Sequence, residues 1–188
     1  HKNIAELGPG TDDAIKNKML PLLLRFDDML SYTAIDVHQS YAISAAKIVQ
    51  QHFSGIVTNS ISADLRNPGH LDYLMNTLKH LPNKVIFSFS SMISNYELDE
   101  LDSFFEKFGR MLNAGDMIII GVDSNEDGES VRKSYVKSET LCLEVFRYFH
   151  MKFDLKQFDP EAFRLDLEWV KDRENHLGHM RFVAVATR

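Results

Sequence analysis

Short apolar runs alternate with longer segments of helical period along the chain. Asn3-Ile4-Ala5-Glu6-Leu7 reads as a strand entering a Gly8-Pro9-Gly10 turn. Thr11 or Asp12 is placed to cap the next helix, and Pro21 to break or restart it. Ser31 to Asp36 is a second strand that ends in an acid, and residues 39–52 are helical with Tyr41, Ala45, Ile48 and Val49 on one side. Gly55-Ile56-Val57-Thr58 starts a third strand, and Asn67-Pro68-Gly69 marks a loop before helical Leu71 to Leu81. Lys84 to Phe89 is a fourth strand. Leu98, Leu101, Phe104, Phe105, Phe108, Met111 and Leu112 then keep three-to-four spacing, a core stripe. Glu97, Asp99, Glu100 and Asp102 crowd the first turns of that helix, where the macrodipole favours negative charge. Met117 to Val122 is a continuous apolar run suited to a central parallel strand. Strand followed by helix, five times over, demands a parallel sheet with helices on both faces. The last third differs. After helical residues 128–150, Phe163 to Lys171 and Leu177 to Thr187 flank a short polar link, which predicts an antiparallel hairpin.

With 188 residues, one ordinary domain spanning 1–188 is expected, large enough to bury about 70% of its unfolded surface. The 44% apolar content excludes intrinsic disorder. No apolar run reaches the roughly 18 residues of a membrane helix, so no membrane partner is expected. One cysteine, Cys142, cannot form an internal disulfide, and no signal peptide opens the chain; a cytoplasmic protein is the simple expectation. Twenty-one basic against 27 acidic residues leave a net charge of -6, which repels polyphosphates and argues against nucleic acid.

Ligands of an open parallel sheet collect at the carboxyl ends of its strands. Four segments converge there. In Glu6-Leu7-Gly8-Pro9-Gly10-Thr11 the glycines let the backbone turn sharply and a ligand approach closely. Asp13 stands where a dinucleotide fingerprint has its third glycine, beside Asp12. Two carboxylates repel a diphosphate but tolerate an ammonium and a sulfonium, which favours S-adenosyl-L-methionine (SAM) over NAD. Asp36 either accepts from ribose hydroxyls or caps the helix after it. Asp64 either accepts from the adenine amino group, with Leu65 covering the ring, or is an ordinary loop residue. Phe89-Ser90-Ser91-Met92-Ile93-Ser94-Asn95 leaves the fourth strand where the methyl group would sit, and Asn95 either caps a helix or contacts substrate. The expected architecture is α/β, a Rossmann-like SAM methyltransferase fold with a mostly parallel sheet and a C-terminal antiparallel hairpin.

The Gly loop, Ile35-Asp36-Val37, Asp64-Leu65, Ser91-Met92-Ile93-Ser94-Asn95, Gly121-Val122-Asp123, Phe158-Asp159-Pro160-Glu161-Ala162-Phe163 and Trp169 occur in this order. The set resembles the histidine-specific SAM-dependent methyltransferase family over essentially the whole chain. The resemblance implies that Gly8 and Gly10 form the cofactor loop, with Asp36 on the ribose and Asp64-Leu65 on the adenine; Thr11, ending the Gly loop, and Ser90, after the fourth strand, are expected beside the same ligand. It implies that Asn95 and Tyr135 hold a substrate α-carboxylate. In the terminal strand His179 and Arg181 fall where the family grips an imidazole with a glutamate and a serine, so a substrate other than histidine is expected. The family has a region before the Gly loop that carries a tyrosine, whereas this chain begins a few residues before that loop, as a divergent or truncated member would.

Methyl transfer from a sulfonium relies on positioning a neutral, desolvated nucleophile, so no catalytic triad is expected. Ser90, Ser91 and Ser94 lack a nucleophile elbow, and His176 with His179 lacks the further ligands of a metal site. The expected function is a SAM-dependent N-methyltransferase of a small amine or amino acid. The alternative is a SAM-binding module without catalysis in this form.

Overall fold

A computed structural model describes residues 1–89, 92, 93, 96, 98–121, 127–136, 163–171 and 178–186. The chain divides into two compact units, His1–Val122 and Asp123–Arg188. In the first, β1 (Lys2–Leu7), β2 (Met29–Asp36), β3 (Val57–Ser62), β4 (Lys84–Ser88) and β5 (Met117–Ile120) form one all-parallel sheet in the order β3-β2-β1-β4-β5. The order reverses between β1 and β4, which opens a crevice at their carboxyl ends.

Helices cover both faces because the central strands are apolar on both. Ile4, Tyr32, Ala34, Val85 and Phe87 pack with the segment after β1 and with α3 (Gln39–His52). Ala5, Leu7, Ile35 and Ile86 pack with α4 (Pro68–Leu78) and α5 (Leu98–Met111). On α3 the buried side chains are Ala42, Ala45, Ala46, Ile48 and Val49, while Tyr41 is exposed beside the His38 ring. The stripe on α5 buries Phe104, Phe108 and Met111.

Pro21 restarts its helix without an intervening loop. The chain runs from α1 (Asp12–Ala14) through a π-helical stretch, Ile15–Met19, into α2 (Leu20–Leu23). Pro21 thus falls in the first turn of α2, where a missing N–H costs least. β5, whose apolar run suits a central strand, ends the order of the five-stranded sheet among the described residues. Met117 is 44% and Ile119 38% exposed. An unalternating apolar run does not by itself distinguish a central strand from a terminal one.

A buried ion pair ties β4 to the turn before β5. Lys84 Nζ lies 2.6 Å from Asp116, and both side chains are 1% exposed. Lys84 Nζ also donates to the Leu81 carbonyl, while Asp116 accepts from the backbone N–H groups of Lys84 and Asn113. Burial raises the pKa of the Asp116 carboxyl, but the Lys84 ammonium and those two N–H donors outweigh it and hold the group below the usual range.

The second unit contains α6 (Gly128–Val136) and an antiparallel pair, β6 (Phe163–Lys171) with β7 (Gly178–Ala186), in register from Phe163 opposite Ala186 to Lys171 opposite Gly178. The pair forms a two-stranded sheet of its own among the described residues. The expected helix beyond Val136, Cys142, the Phe158 to Ala162 motif and the 172–177 link with His176 lie outside the described residues. No helix among the described residues is long and apolar enough to cross a membrane, and no cluster of acids, His and Cys among them could hold a metal.

Candidate cofactor site

The turn after β1 is built on two left-handed glycines, Gly8 with φ 68° and Gly10 with φ 69°. Other residues adopt that conformation only at a cost, which explains glycine at both positions. Gly8 N–H donates to the Ile35 carbonyl at 2.8 Å, tying the turn to β2. A Cβ added at Gly10 would meet nothing within 4 Å, so open space borders the backbone there. Thr11 begins α1 through its carbonyl, which accepts from the Ala14 and Ile15 N–H groups. Neither expected side-chain cap is made: the Thr11 hydroxyl makes no capping bond, and Asp12 accepts instead from Ser44 Oγ on α3.

Asp36 closes β2, and its carboxylate is buried. Oδ2 accepts from Gly10 N–H at 3.3 Å and Oδ1 from His38 N–H at 2.9 Å. The same acid therefore braces the glycine turn and the start of α3. Each oxygen offers about two acceptor sites, so capacity remains for a ligand hydroxyl. Val37, the next residue, is 59% exposed, a large apolar side chain left open beside an acid.

Asp64 is exposed and forms an Asx turn, with Oδ1 accepting from Arg66 N–H at 3.0 Å. Its own N–H donates to His70 Nδ1. Leu65 is buried with Ala63 and Leu71 in the core cluster under α4 and α5.

Glu6 is a site residue that sequence reasoning passed over, quoting it only as part of the loop motif. Strand alternation puts it on the face shared by Ile4, Tyr32 and Asp36. It is buried and accepts from the Tyr32 hydroxyl. Burial, reinforced by the Asp36 charge and opposed by the Tyr32 hydrogen bond, pushes its pKa up to about 7. Tyr32 is in turn driven well above the usual tyrosine range, first by burial and then by Glu6. The readable signal was a glutamate one residue short of the end of a buried strand.

Ser90, expected beside the cofactor, and Asn95, expected on the substrate, lie outside the described residues. Tyr135 lies on α6, and His179 and Arg181 lie on β7 opposite Val170 and Glu168.

A buried acid, Asp36, at the end of β2, bonded to a left-handed glycine turn with open space, suits a cationic nucleoside better than a diphosphate. A five-stranded parallel sheet carrying this site is a Rossmann-like methyltransferase fold. A family model described as "Histidine-specific methyltransferase, SAM-dependent" matches residues 1–187, and the chain belongs to that family. It is a SAM-dependent methyltransferase, and its cofactor is S-adenosyl-L-methionine. No curated protein matches the chain. The family description names histidine, so it does not support the expectation of a different substrate.

Proposed function

We propose that the chain is an N-methyltransferase acting on the amine of a small amino-acid-like substrate, with its two units working as one domain that ends in the β6–β7 hairpin. The observation that carries the cofactor half is Asp36, buried at the end of β2 and braced against Gly10. In this reading Asp36 takes the ribose hydroxyls, while Gly8, Gly10, Thr11 and Ser90 border the rest of the ligand. Asp64 takes the adenine amino group, and the apolar wall combines Leu65 with the exposed Val37. Bound SAM supplies an electrophilic methyl group.

Asn95 and Tyr135 hold the substrate carboxylate, which fixes the amine in line. The residues then contribute by orienting that amine and keeping water away, the positioning route to rate. Held in line in this way, the neutral amine would be positioned toward the methyl group that bound SAM would supply. The family's stated specificity favours histidine as substrate. In this reading His179 and Arg181 of β7 border the side chain of that substrate.

The test is incubation with SAM and a panel of amino acids that includes histidine, aspartate and glutamate, read by mass spectrometry. Methylation of one panel member at its α-amine is expected. Methylation of none would overturn the reading.

A further inference from the structure

Tyr96 follows the segment that leaves β4, and its environment is unusual. Its ring packs against Phe104 of α5, with centroids 5.1 Å apart. Its hydroxyl oxygen is buried and has no hydrogen-bond partner among the described residues. Ser88 Oγ is in the same condition at the end of β4, but Tyr96 differs in its charged surroundings. It lies in the field of Asp64 and Arg66, from the loop after β3, and of Glu100 on α5. Arg66 and Glu100 are themselves paired at 3.2 Å. Burial first, then the negative charges of Asp64 and Glu100 against the opposing Arg66, pushes the Tyr96 pKa up to about 12. The phenol is therefore neutral at physiological pH and keeps its proton to donate.

A buried hydroxyl without a partner costs stability, and such groups are rare in native proteins. An apolar residue would fill the space against Phe104 without that cost. Asp64 and Arg66 follow β3 and Tyr96 follows β4, and both strands have their carboxyl ends where ligands of this fold gather. We propose that the Tyr96 hydroxyl reads the nucleobase of the bound cofactor alongside Asp64, which makes Tyr96 a specificity-determining residue for adenine. The proposal rests on the assignment of Asp64 to the adenine amino group. The two groups are complementary: the Asp64 carboxylate only accepts, as an exocyclic amine requires, and the Tyr96 hydroxyl donates to a ring nitrogen.

The experiment compares wild type with Tyr96→Phe and Asp64→Asn in the full chain. Binding of S-adenosylhomocysteine and of its inosyl analogue is measured by calorimetry, together with the melting temperature without ligand. For Tyr96→Phe the melting temperature should stay level or rise, because an unpartnered buried oxygen is removed. S-adenosylhomocysteine affinity should fall about tenfold, the scale of one lost hydrogen bond. The preference for the adenosyl over the inosyl ligand should narrow. A lower melting temperature with unchanged affinity would show a structural tyrosine and overturn the proposal, as would equal losses for both ligands. If Asp64→Asn narrows the preference and Tyr96→Phe does not, the proposal fails while the adenine assignment stands. If neither does, both fail.

Discussion

Asp36 and Glu6 sit on one face of the sheet, yet their surroundings set them different tasks. Asp36 accepts hydrogen bonds from the N–H groups of Gly10 and His38. Glu6 has a single hydroxyl partner in a buried setting, which favours its protonated form up to about pH 7. Because the folded-state pKa of Glu6 lies above its ordinary 4.5, the protonated acid stabilises the fold. That contribution is full below about pH 4.5 and is lost as pH rises through about 7, a loss of about 3 kcal/mol. Glu6→Gln should therefore flatten the fall in stability across this window relative to wild type, as measured by urea unfolding at a series of pH values. A variant curve parallel to wild type would contradict it. Asp36 was legible because an acid ending a predicted strand has few roles, and the structure ties it to Gly10 and to His38, the residue before α3. Glu6 was not, since its importance depends on Tyr32, 26 residues away in sequence.

Among the elements, apolar period located every strand of the parallel sheet, and α3 with its ends, Gln39–His52. It did not reveal how a proline is absorbed. The π-helical stretch before Pro21 adds a residue to the turn, a local adjustment that hydrophobic spacing does not encode. Nor did it reveal the Lys84–Asp116 pair, because a lysine at the start of a strand reads as a solvated end. In the fold that lysine is shut in with its acid. Asp116→Ala would strand a buried ammonium, and a stability loss of about 3–5 kcal/mol is expected by denaturant unfolding. The double change Lys84→Met with Asp116→Leu should recover most of it, since two apolar side chains need no partner. Equal losses in the single and double variants would mean that the pair contributes through shape instead of charge.

For the whole molecule, net charge, the glycine turn and strand order agreed on one class of ligand before any side chain was placed. The family match over residues 1–187 confirms that class. The substrate end was less legible, because the residues expected there, from Asn95 to Arg181, are far apart in sequence and no local pattern reports on whether they meet. The central claim is that the β1 turn and Asp36 hold the adenosyl cofactor. Its most direct test is calorimetric titration of the full chain with S-adenosylhomocysteine, for wild type and Asp36→Asn, with circular dichroism to establish that the variant folds. The account predicts saturable one-to-one binding that the substitution weakens by about 1–3 kcal/mol. Absence of binding to wild type, or equal affinity in the folded variant, would contradict it.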